Sequence, residues 1–304
     1  MENLIATIAY LFIGILLRLT GRLPKDFSTS LNLFVIYVSL PALVLLKVVK
    51  MDIGQGLFFV TLLPWVMAAT GAVMVLILSR IFNWSREITG CLLLMCSLGN
   101  TSFLGIPMVR AFFGEKGITY AIIYDQLGSF LALATYGSIV LALYARDDKT
   151  KPNFKEIVLK ICTFPPFMAL VLAFLLRGIT FPGYLQGILT SMAATLIPVV
   201  MIAVGYQLHL KLDPGAFAPM TVGLLIKLVA APLIALIITK LFGLRGEPVK
   251  VAIFESGMPP MVSAGALAIM ANLAPKLTAA LVGSGIFLSF ITLPLLFKLI
   301  AFFI

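Results

Sequence analysis

Two short stretches rich in glycine and proline are expected to be unwound within long apolar segments of this chain. Residues 99–107 contain Gly99 and Pro107, and residues 257–265 contain two consecutive prolines between glycines. Proline removes a backbone donor and glycine tolerates non-helical angles, so each stretch frees backbone groups that lipid cannot satisfy. Such backbone is tolerated at membrane depth only where it is buried in protein or lines a polar cavity. We therefore expect a functional site at these two helix breaks.

The composition is that of a membrane protein. Hydrophobic residues make up 61% of the 304 residues and charged residues 11%, whereas a soluble domain is about 45–50% apolar. The net charge is +10, but the 22 Lys and Arg residues lie between apolar runs. We interpret them as topology determinants and expect no nucleic-acid partner. The three cysteines and the single histidine, His209, show no metal-ligand spacing, so we expect no cofactor apart from a Na⁺ ion.

The apolar segments predict ten transmembrane helices in an all-α polytopic membrane protein. A span needs about 20 apolar residues, and suitable windows lie at about 3–20, 28–49, 56–80, 87–112, 118–144, 156–177, 184–208, 215–241, 248–271 and 275–303. One connection, residues 146–155, is strongly polar and separates five windows from five. We expect residues 1–145 to form a first five-helix repeat and residues 156–304 a second.

The two halves of the sequence resemble each other. Glu87 corresponds to Glu247 and Gly105 to Gly265 at a constant offset of 160 residues, and the two helix breaks coincide at that offset. Because each half holds an odd number of spans, the second repeat must be inverted in the membrane, and corresponding breaks in inverted repeats indicate a transporter's binding site. More Lys and Arg residues flank the spans on the linker side, so we expect the linker in the cytoplasm and both termini outside.

Three ionisable residues are predicted to lie deep in spans: Asp125, Lys227 and Glu255. A charge at the centre of a span costs about 2.5–3.5 kcal/mol and usually marks an ion or substrate pathway. Small residues share a helical face with Asp125 and with Lys227, which favours helix contacts or cavity walls. Two carboxylates against one ammonium leave an excess negative charge, so we expect a proton or Na⁺. A purely structural buried ion pair is the alternative.

Polar side chains also occur at the breaks themselves. The half-helices that follow each break direct backbone amides and positive dipole ends into the site, which favours a carboxylate ligand. The candidate substrate-binding residues are Asn100, Thr101, Ser102, Lys227, Pro259, Pro260 and Ser263. The candidate cation-coupling residues are Asp125, Glu255 and Asn100. In the alternative interpretation, the polar groups only satisfy broken backbone.

Three segments carry a family resemblance that extends over essentially the whole chain. Residues 39–43, 99–107 and 258–260 are similar to segments of the auxin efflux carrier family, in the bile acid/auxin transporter superfamily. The resemblance implies ten helices, with a scaffold domain of spans 1, 2, 6 and 7. It further implies a transport domain of spans 3–5 and 8–10 that contains the broken, crossing helices 4 and 9. Elevator-type alternating access and a homodimer are implied as well.

The resemblance also bears on the cation. Residues 255–258 are similar to a Glu-Val-Gly-Met stretch of the sodium-bile acid symporters, which implies Na⁺ binding by Glu255 with Asn100 as a second ligand. Two prolines, Pro259 and Pro260, replace the amide-bearing continuation of that stretch, so a second Na⁺ site is not implied. The long hydrophilic loop of the plant carriers is absent, so auxin is not implied as the substrate.

These observations predict a secondary active transporter of a small mono- or dicarboxylate in the plasma (inner) membrane, coupled to Na⁺ or H⁺. A Na⁺/H⁺ antiporter is the closest alternative, although Asp125 is flanked by Tyr124 and Gln126 rather than by the usual Asn or Asp. An intramembrane enzyme would need a His base, a Cys–His pair or clustered carboxylates, so we expect no enzyme. A transporter-shaped sensor is a further alternative. The substrate, the direction of flux and uncoupled transport stay open at this point.

Overall fold

A computed structural model describes residues 2–24, 26–51, 56–145, 154–208 and 217–304 of the chain. Across these ranges the regular secondary structure is helical, and the single exception is an isolated β-bridge between Gly99 and Pro260. Residues 146–153 of the predicted linker, and His209, lie outside the described residues.

Sixteen α-helices and five π-helical segments are defined within the described ranges. The α-helices are α1 (Glu2–Leu19), α2 (Phe27–Phe34), α3 (Leu40–Val48), α4 (Gly56–Ile81), α5 (Arg86–Ser97), α6 (Ile106–Ile123), α7 (Ser138–Tyr144), α8 (Phe154–Cys162), α9 (Pro165–Leu175), α10 (Gly183–Ala194), α11 (Leu196–Gln207), α12 (Phe217–Leu225), α13 (Ala231–Leu241), α14 (Glu247–Ser256), α15 (Val262–Met270) and α16 (Pro275–Phe303). The π-helical segments are π1 (Val35–Ser39), π2 (Thr101–Gly105), π3 (Tyr124–Phe130), π4 (Leu133–Gly137) and π5 (Ile226–Ala230).

Six helical segments of the described chain are long and apolar enough to cross a membrane. They are Phe27–Val48, Gly56–Ile81, Thr101–Tyr144, Gly183–Gln207, Phe217–Leu241 and Pro275–Phe303. A seventh results if α8 and α9, which are bent by 64° at the break between them, form one span. The structure therefore does not confirm the ten predicted spans. The difference arises because helix breaks and bends divide several predicted windows into pieces too short to count alone.

The longest of these segments cannot be one straight span. Thr101–Tyr144 contains 44 residues, which corresponds to about 66 Å of helix, whereas the hydrocarbon core of a bilayer is about 30 Å thick. Gly114 lies within α6 with a φ of 71° and a ψ of −162°, so the helical path is interrupted there. A residue with a side chain is strained at such a φ, which explains the glycine.

The chain divides into two compact units, and each combines segments from both halves of the sequence. Unit 1 consists of Met1–Gly54, Ser102–Ile122 and Val158–Leu208, and unit 2 consists of Gln55–Thr101, Ile123–Ile157 and His209–Ile304. The predicted division into five-helix repeats, and into scaffold and transport domains, stays a prediction.

Unit 1 is held together by a very close packing of α1 against α11. A Cβ atom at Gly14 would lie 2.2 Å from the carbonyl oxygen of Ile202, and one at Gly205 would lie 2.1 Å from that of Leu11. Glycine is thus required on both helices at this contact. Nearby in unit 1, the hydroxyls of Ser39 and Thr195 lie 2.7 Å apart, which anchors the segment 39–43.

Unit 2 contains the non-helical residues of both helix breaks, 98–100 and 257–261, and a large apolar core. Two short helices, α5 and α14, lead into the breaks, and each carries a glutamate in its first turn, Glu87 and Glu247 respectively. A carboxylate there interacts favourably with the positive end of the helix dipole, which gives a physical reason for this sequence correspondence. The Ser85 hydroxyl accepts a hydrogen bond from the Ile88 amide and caps α5.

Candidate functional site

Extended backbone forms the first break. Helix α5 ends at Ser97, and Leu98 adopts a φ of −106° and a ψ of 125°. The chain becomes helical again only at π2, five residues of π-helix that begin with Thr101 and lead into α6. Extended backbone here exposes amide and carbonyl groups that a continuous helix would have used internally.

The second break is richer in proline. Helix α14 ends before Gly257, and α15 begins after Met261, whose φ of −67° and ψ of 124° are extended. Pro259 and Pro260 have no amide hydrogen, so this break offers carbonyl acceptors and few donors.

The two breaks satisfy one another's backbone. The Asn100 amide donates to the Pro259 carbonyl oxygen at 2.8 Å, and the Met261 amide donates to the Leu98 carbonyl oxygen at 3.1 Å. Gly99 and Pro260 form the antiparallel bridge between these bonds. Because backbone groups fill this role, the polar side chains at the first break are not needed for it.

Asn100 has a side-chain donor that the backbone pairing of the breaks does not use. Its side chain is buried, and the amide nitrogen Nδ2 has no hydrogen-bond partner within the described structure. A buried donor without a partner costs free energy, so it is a strong candidate for contact with a ligand. The neighbouring Ser102 is half-buried and belongs to unit 1, and Ser263 is half-buried in the first turn of α15.

Asp125 lies in π3, where several partners surround its carboxylate. The Thr101 hydroxyl donates to Oδ1 at 2.6 Å, and the side-chain amide nitrogen Nε2 of Gln126 donates to Oδ2 at 2.6 Å. Both donors belong to unit 2, as Asp125 does. The carboxylate is therefore fixed to the first break through Thr101.

Glu255 differs from Asp125 in its hydrogen bonding. It lies in the last turn of α14, is 0% exposed, and neither of its carboxylate oxygens has a hydrogen-bond partner in the described chain. Asp125 and Lys227 both lie close enough to interact with it electrostatically. An ionised carboxylate in this environment carries a cost of several kcal/mol unless a cation joins it.

Lys227 supplies the positive charge of the cluster. It lies in π5, is buried, and its Nζ donates to the Ser256 carbonyl oxygen at 3.1 Å. A Cβ atom at Gly99 would approach that Nζ to 3.2 Å, so the ammonium group lies directly against the first break. The absence of a side chain at position 99 leaves room for it.

A small cavity of about 10 Å³ lies within unit 2 beside these groups, with room for about one water molecule or a bare monovalent ion. Its lining residues are Pro64, Met67, Ser97, Leu98, Gly99, Thr101, Tyr124, Ser129, Ala132, Lys227 and Glu255. Of the sequence-predicted residues, Thr101, Lys227 and Glu255 line the cavity. The other candidates are not among its lining residues. Five of them belong to the same unit, and Ser102 belongs to unit 1: Asn100, Asp125, Pro259, Pro260 and Ser263 are the five in unit 2.

Sequence reasoning missed several of these residues. Ser97 and Tyr124 line the cavity, and the Gln126 side chain donates a hydrogen bond to Asp125. The position of Gln126 directly beside a buried acid was the sequence signal that could have predicted its hydrogen bond to Asp125. No group of three or more His, Cys, Asp or Glu side chains that could hold a metal ion occurs among the residues described.

Comparisons with known proteins identify the family of the chain. A family model described as membrane transport protein matches residues 1–297. An uncharacterized transporter of Methanothermobacter thermautotrophicus is 26% identical over 301 residues, which cover 97% of this chain and 96% of that protein. The uncharacterized transporter MJ1031 of Methanocaldococcus jannaschii is 26% identical over 290 residues, 92% of each chain. The chain is thus a multi-pass membrane protein, the resemblance to auxin efflux carriers is confirmed, and the protein belongs to the membrane transport protein family.

Proposed function

We propose that this protein is a secondary active transporter of a small organic anion, a mono- or dicarboxylate, driven by Na⁺ or H⁺. The observation that carries the proposal is Glu255, a fully buried carboxylate with neither oxygen hydrogen-bonded, adjacent to the paired helix breaks. The names of the family and of both relatives, which are all transport proteins, support transport rather than catalysis.

The charge of the site supports cation coupling. Asp125 and Glu255 contribute two negative charges and Lys227 one positive charge, all three buried in unit 2. One further cation balances this cluster, and the cavity beside Glu255 has the size of a single ion or water. Three hydroxyl-bearing residues, Ser97, Thr101 and Ser129, line the same cavity, and hydroxyl oxygens are acceptable ligands for Na⁺. We favour Na⁺ slightly over H⁺.

The anion is proposed to bind at the breaks. The unpartnered Nδ2 of Asn100 is a donor that a carboxylate oxygen can accept from, and the helical segments that begin at Thr101 and at Val262 add positive helix ends. Thr101, Ser263 and the Pro259–Pro260 segment complete the proposed substrate site in unit 2, with Lys227 as the countercharge. The role of Ser102, which belongs to unit 1, stays a prediction from the sequence.

The proposed architecture follows the family. It consists of ten spans in a 5+5 inverted repeat, with helices 4 and 9 broken and crossing, and a homodimer in the plasma membrane. Elevator movement of spans 3–5 and 8–10 against spans 1, 2, 6 and 7 provides alternating access.

The topology can be tested by labelling. After replacement of the native thiols, single cysteines at Asp147, Glu2 and Ile304 are reacted with a membrane-impermeant maleimide. We expect position 147 to react only from the cytoplasm and both termini only from outside. Termini on opposite faces would contradict the ten-span proposal.

One observation favours a Na⁺/H⁺ antiporter as the second candidate. The cavity of about 10 Å³ accommodates an ion but not an organic anion in this conformation. A different observation favours the organic-anion transporter. The side-chain amide of Asn100 has a donor without a partner, which a carboxylate substrate would use and an antiporter would not need.

Thermal-shift measurements on the purified protein separate the two candidates. Lactate, pyruvate, malonate and malate are added with Na⁺ or with choline as the cation. A carboxylate that raises the melting temperature only together with Na⁺ supports coupled anion transport. Stabilisation by Na⁺ alone, with no effect of any carboxylate, favours the antiporter.

A further inference from the structure

Helix α8 is a nine-residue helix, Phe154–Cys162, in which no residue is buried. Its large apolar side chains are exposed, by 80% at Phe154, 41% at Val158 and 60% at Leu159. In the chain it lies between the polar linker and α9, an apolar helix that begins at Pro165. Exposed apolar side chains of this size need lipid or another protein to cover them.

The apolar and charged residues of α8 lie on different sides of the helix. At 3.6 residues per turn, one arc of about 140° holds most of the apolar residues, which are Phe154, Ile157, Val158, Ile161 and Cys162. Lys155 and Lys160 flank this arc on its two sides, and Glu156 lies opposite it. Leu159 is the apolar exception on the charged side. Such a pattern is typical of a helix in a membrane interface, where lysine stems follow the apolar surface and the ammonium groups reach the headgroups.

The bend between α8 and α9 supports an inclined position for α8. The two helices enclose an angle of 64°. Helix α8 is about 14 Å long and advances only about 6 Å along the axis of α9, which itself adds about 16 Å. The total of about 22 Å is less than the hydrocarbon thickness of about 30 Å, so the pair does not match a regular span. Snorkelling lysines and local thinning of the bilayer accommodate such a shortfall.

The charge in and before α8 favours anionic headgroups. Residues 146–160 contain five Lys or Arg residues and three Asp or Glu residues, an excess of two positive charges. Basic segments next to a bilayer are attracted to anionic phospholipids, and the lysine ammonium group binds phosphate as a point charge. Charged residues are depleted at the core of protein interfaces, so the lysines beside the apolar arc favour lipid over a second copy of the chain.

We propose that α8 is an inclined interfacial helix at the headgroup–acyl boundary of the bilayer. Its apolar arc contacts acyl chains, and Lys155 and Lys160 bind the phosphate groups of anionic phospholipids. The window 156–177, which the sequence predicts to be one span, then consists of an interfacial helix followed by the crossing helix α9. This inference goes beyond the proposed function and depends on neither the substrate nor the coupling cation.

Nitroxide labelling tests the position of α8. Cys162 is exposed and Cys91 and Cys96 are buried, so a thiol-reactive nitroxide labels the wild-type protein on the apolar side of α8. Glu156→Cys, on the charged side, and Leu172→Cys, at an exposed position of α9, are labelled in a Cys162→Ala background. Collisions with oxygen report hydrocarbon around the label, and collisions with a water-soluble nickel chelate report water.

The proposal predicts different surroundings for the two sides of α8. In liposomes of phosphatidylcholine and phosphatidylglycerol, we expect oxygen collisions to dominate at Cys162, as at the α9 reference position, and nickel collisions to dominate at position 156. Oxygen on both sides would indicate a helix surrounded by hydrocarbon, and nickel on both sides a helix in water. Protection of Cys162 from both reagents would indicate a protein partner, such as a second copy. Each of these three results would overturn the proposal.

Brominated lipids test the choice of headgroup. Bromine on the acyl chains quenches a bimane fluorophore on Cys162, so quenching by brominated phosphatidylglycerol relative to brominated phosphatidylcholine measures the local preference. We expect the wild type to prefer phosphatidylglycerol, less so at high ionic strength. Lys160→Gln should lower this preference by about 5-fold. The matched control is Lys116→Gln, which removes an exposed lysine of α6 and should keep the wild-type preference.

Two results would contradict the role of the lysines. They are equal quenching of the wild type by both lipids, and an unchanged preference in Lys160→Gln. The wild-type measurements need no substitution, so they stay decisive if a variant does not fold. Neither experiment measures transport, so a failure here leaves the proposed function untouched.

Discussion

The two helix breaks have matching backbones and opposite chemistry. The first break carries polar side chains and is tied by Thr101 to Asp125, an acid with hydrogen-bonded oxygens. The second contains Gly257, Pro259 and Pro260 and begins two residues after Glu255, an acid whose oxygens have no partner in the described chain. Each break accepts one backbone hydrogen bond from the other.

This difference indicates how a repeated sequence can acquire two roles. The mutual backbone bonds fix the geometry of both breaks, so the side chains are released from that task. The first break then offers donors for an anion, and the region of the second break leaves a negative charge that a cation can neutralise.

Removing the charge at the second break should have the largest effect. Glu255→Gln keeps the size of the side chain, and Lys227 is then balanced by Asp125, so no cation is required. We expect gradient-driven uptake into proteoliposomes to stop. Na⁺ at 100 times its dissociation constant should stabilise the wild type by about 2.7 kcal/mol and the variant not at all. Equal Na⁺ stabilisation of both proteins in thermal melts would contradict a cation site at Glu255.

The first break should affect the anion instead. Asn100→Ala removes a donor that has no partner within the described structure, so the fold should be little changed. A hydrogen bond to a charged ligand contributes about 1.5–3 kcal/mol, so carboxylate affinity should fall by about 10- to 100-fold. Calorimetric titration of the stabilising carboxylate measures the change, and Na⁺ stabilisation is the control that should persist. Unchanged affinity would remove Asn100 from the site.

Lys227→Met removes the positive charge that lies near both helix breaks and so tests the charge balance of the site. Both acids are then unopposed, and a second cation should accompany each cycle. We expect transport to continue at reduced rate with altered coupling, read as a changed reversal potential in proteoliposomes. The exposed Lys276→Met in the first turn of α16 is the control. A reversal potential identical to that of the wild type would show that Lys227 does not contribute to the charge balance.

Much of the site is recognisable from the sequence because breaks and buried charges leave strong local signals. The small residues that share a helical face with Asp125 indicate a cavity wall or a helix contact, and both occur: Ser129 and Ala132 line the cavity, and Gly128 lies against Pro64. The π-helical turns around Asp125 and Lys227 have no comparable signal, since they depend on tertiary packing.

The pairing of the breaks was likewise hidden. Hydrogen bonds such as that of Asn100 to Pro259 join residues far apart in the chain, and no periodicity encodes them. The ten spans stay a prediction, because the described chain has six helical segments of sufficient length, or seven with one bent pair. A hydropathy window over a broken helix looks the same as one over a continuous helix.

Uptake measured under separate gradients tests the central claim most directly. Proteoliposomes containing the wild type receive the labelled carboxylate that stabilises the protein, with either an inward Na⁺ gradient or a pH gradient. We predict accumulation above equilibrium under one of the two gradients, and its loss in Glu255→Gln. Accumulation that ignores both gradients, or full gradient-driven uptake by both Glu255→Gln and Asp125→Asn, would contradict the coupled mechanism and leave facilitated diffusion as the account.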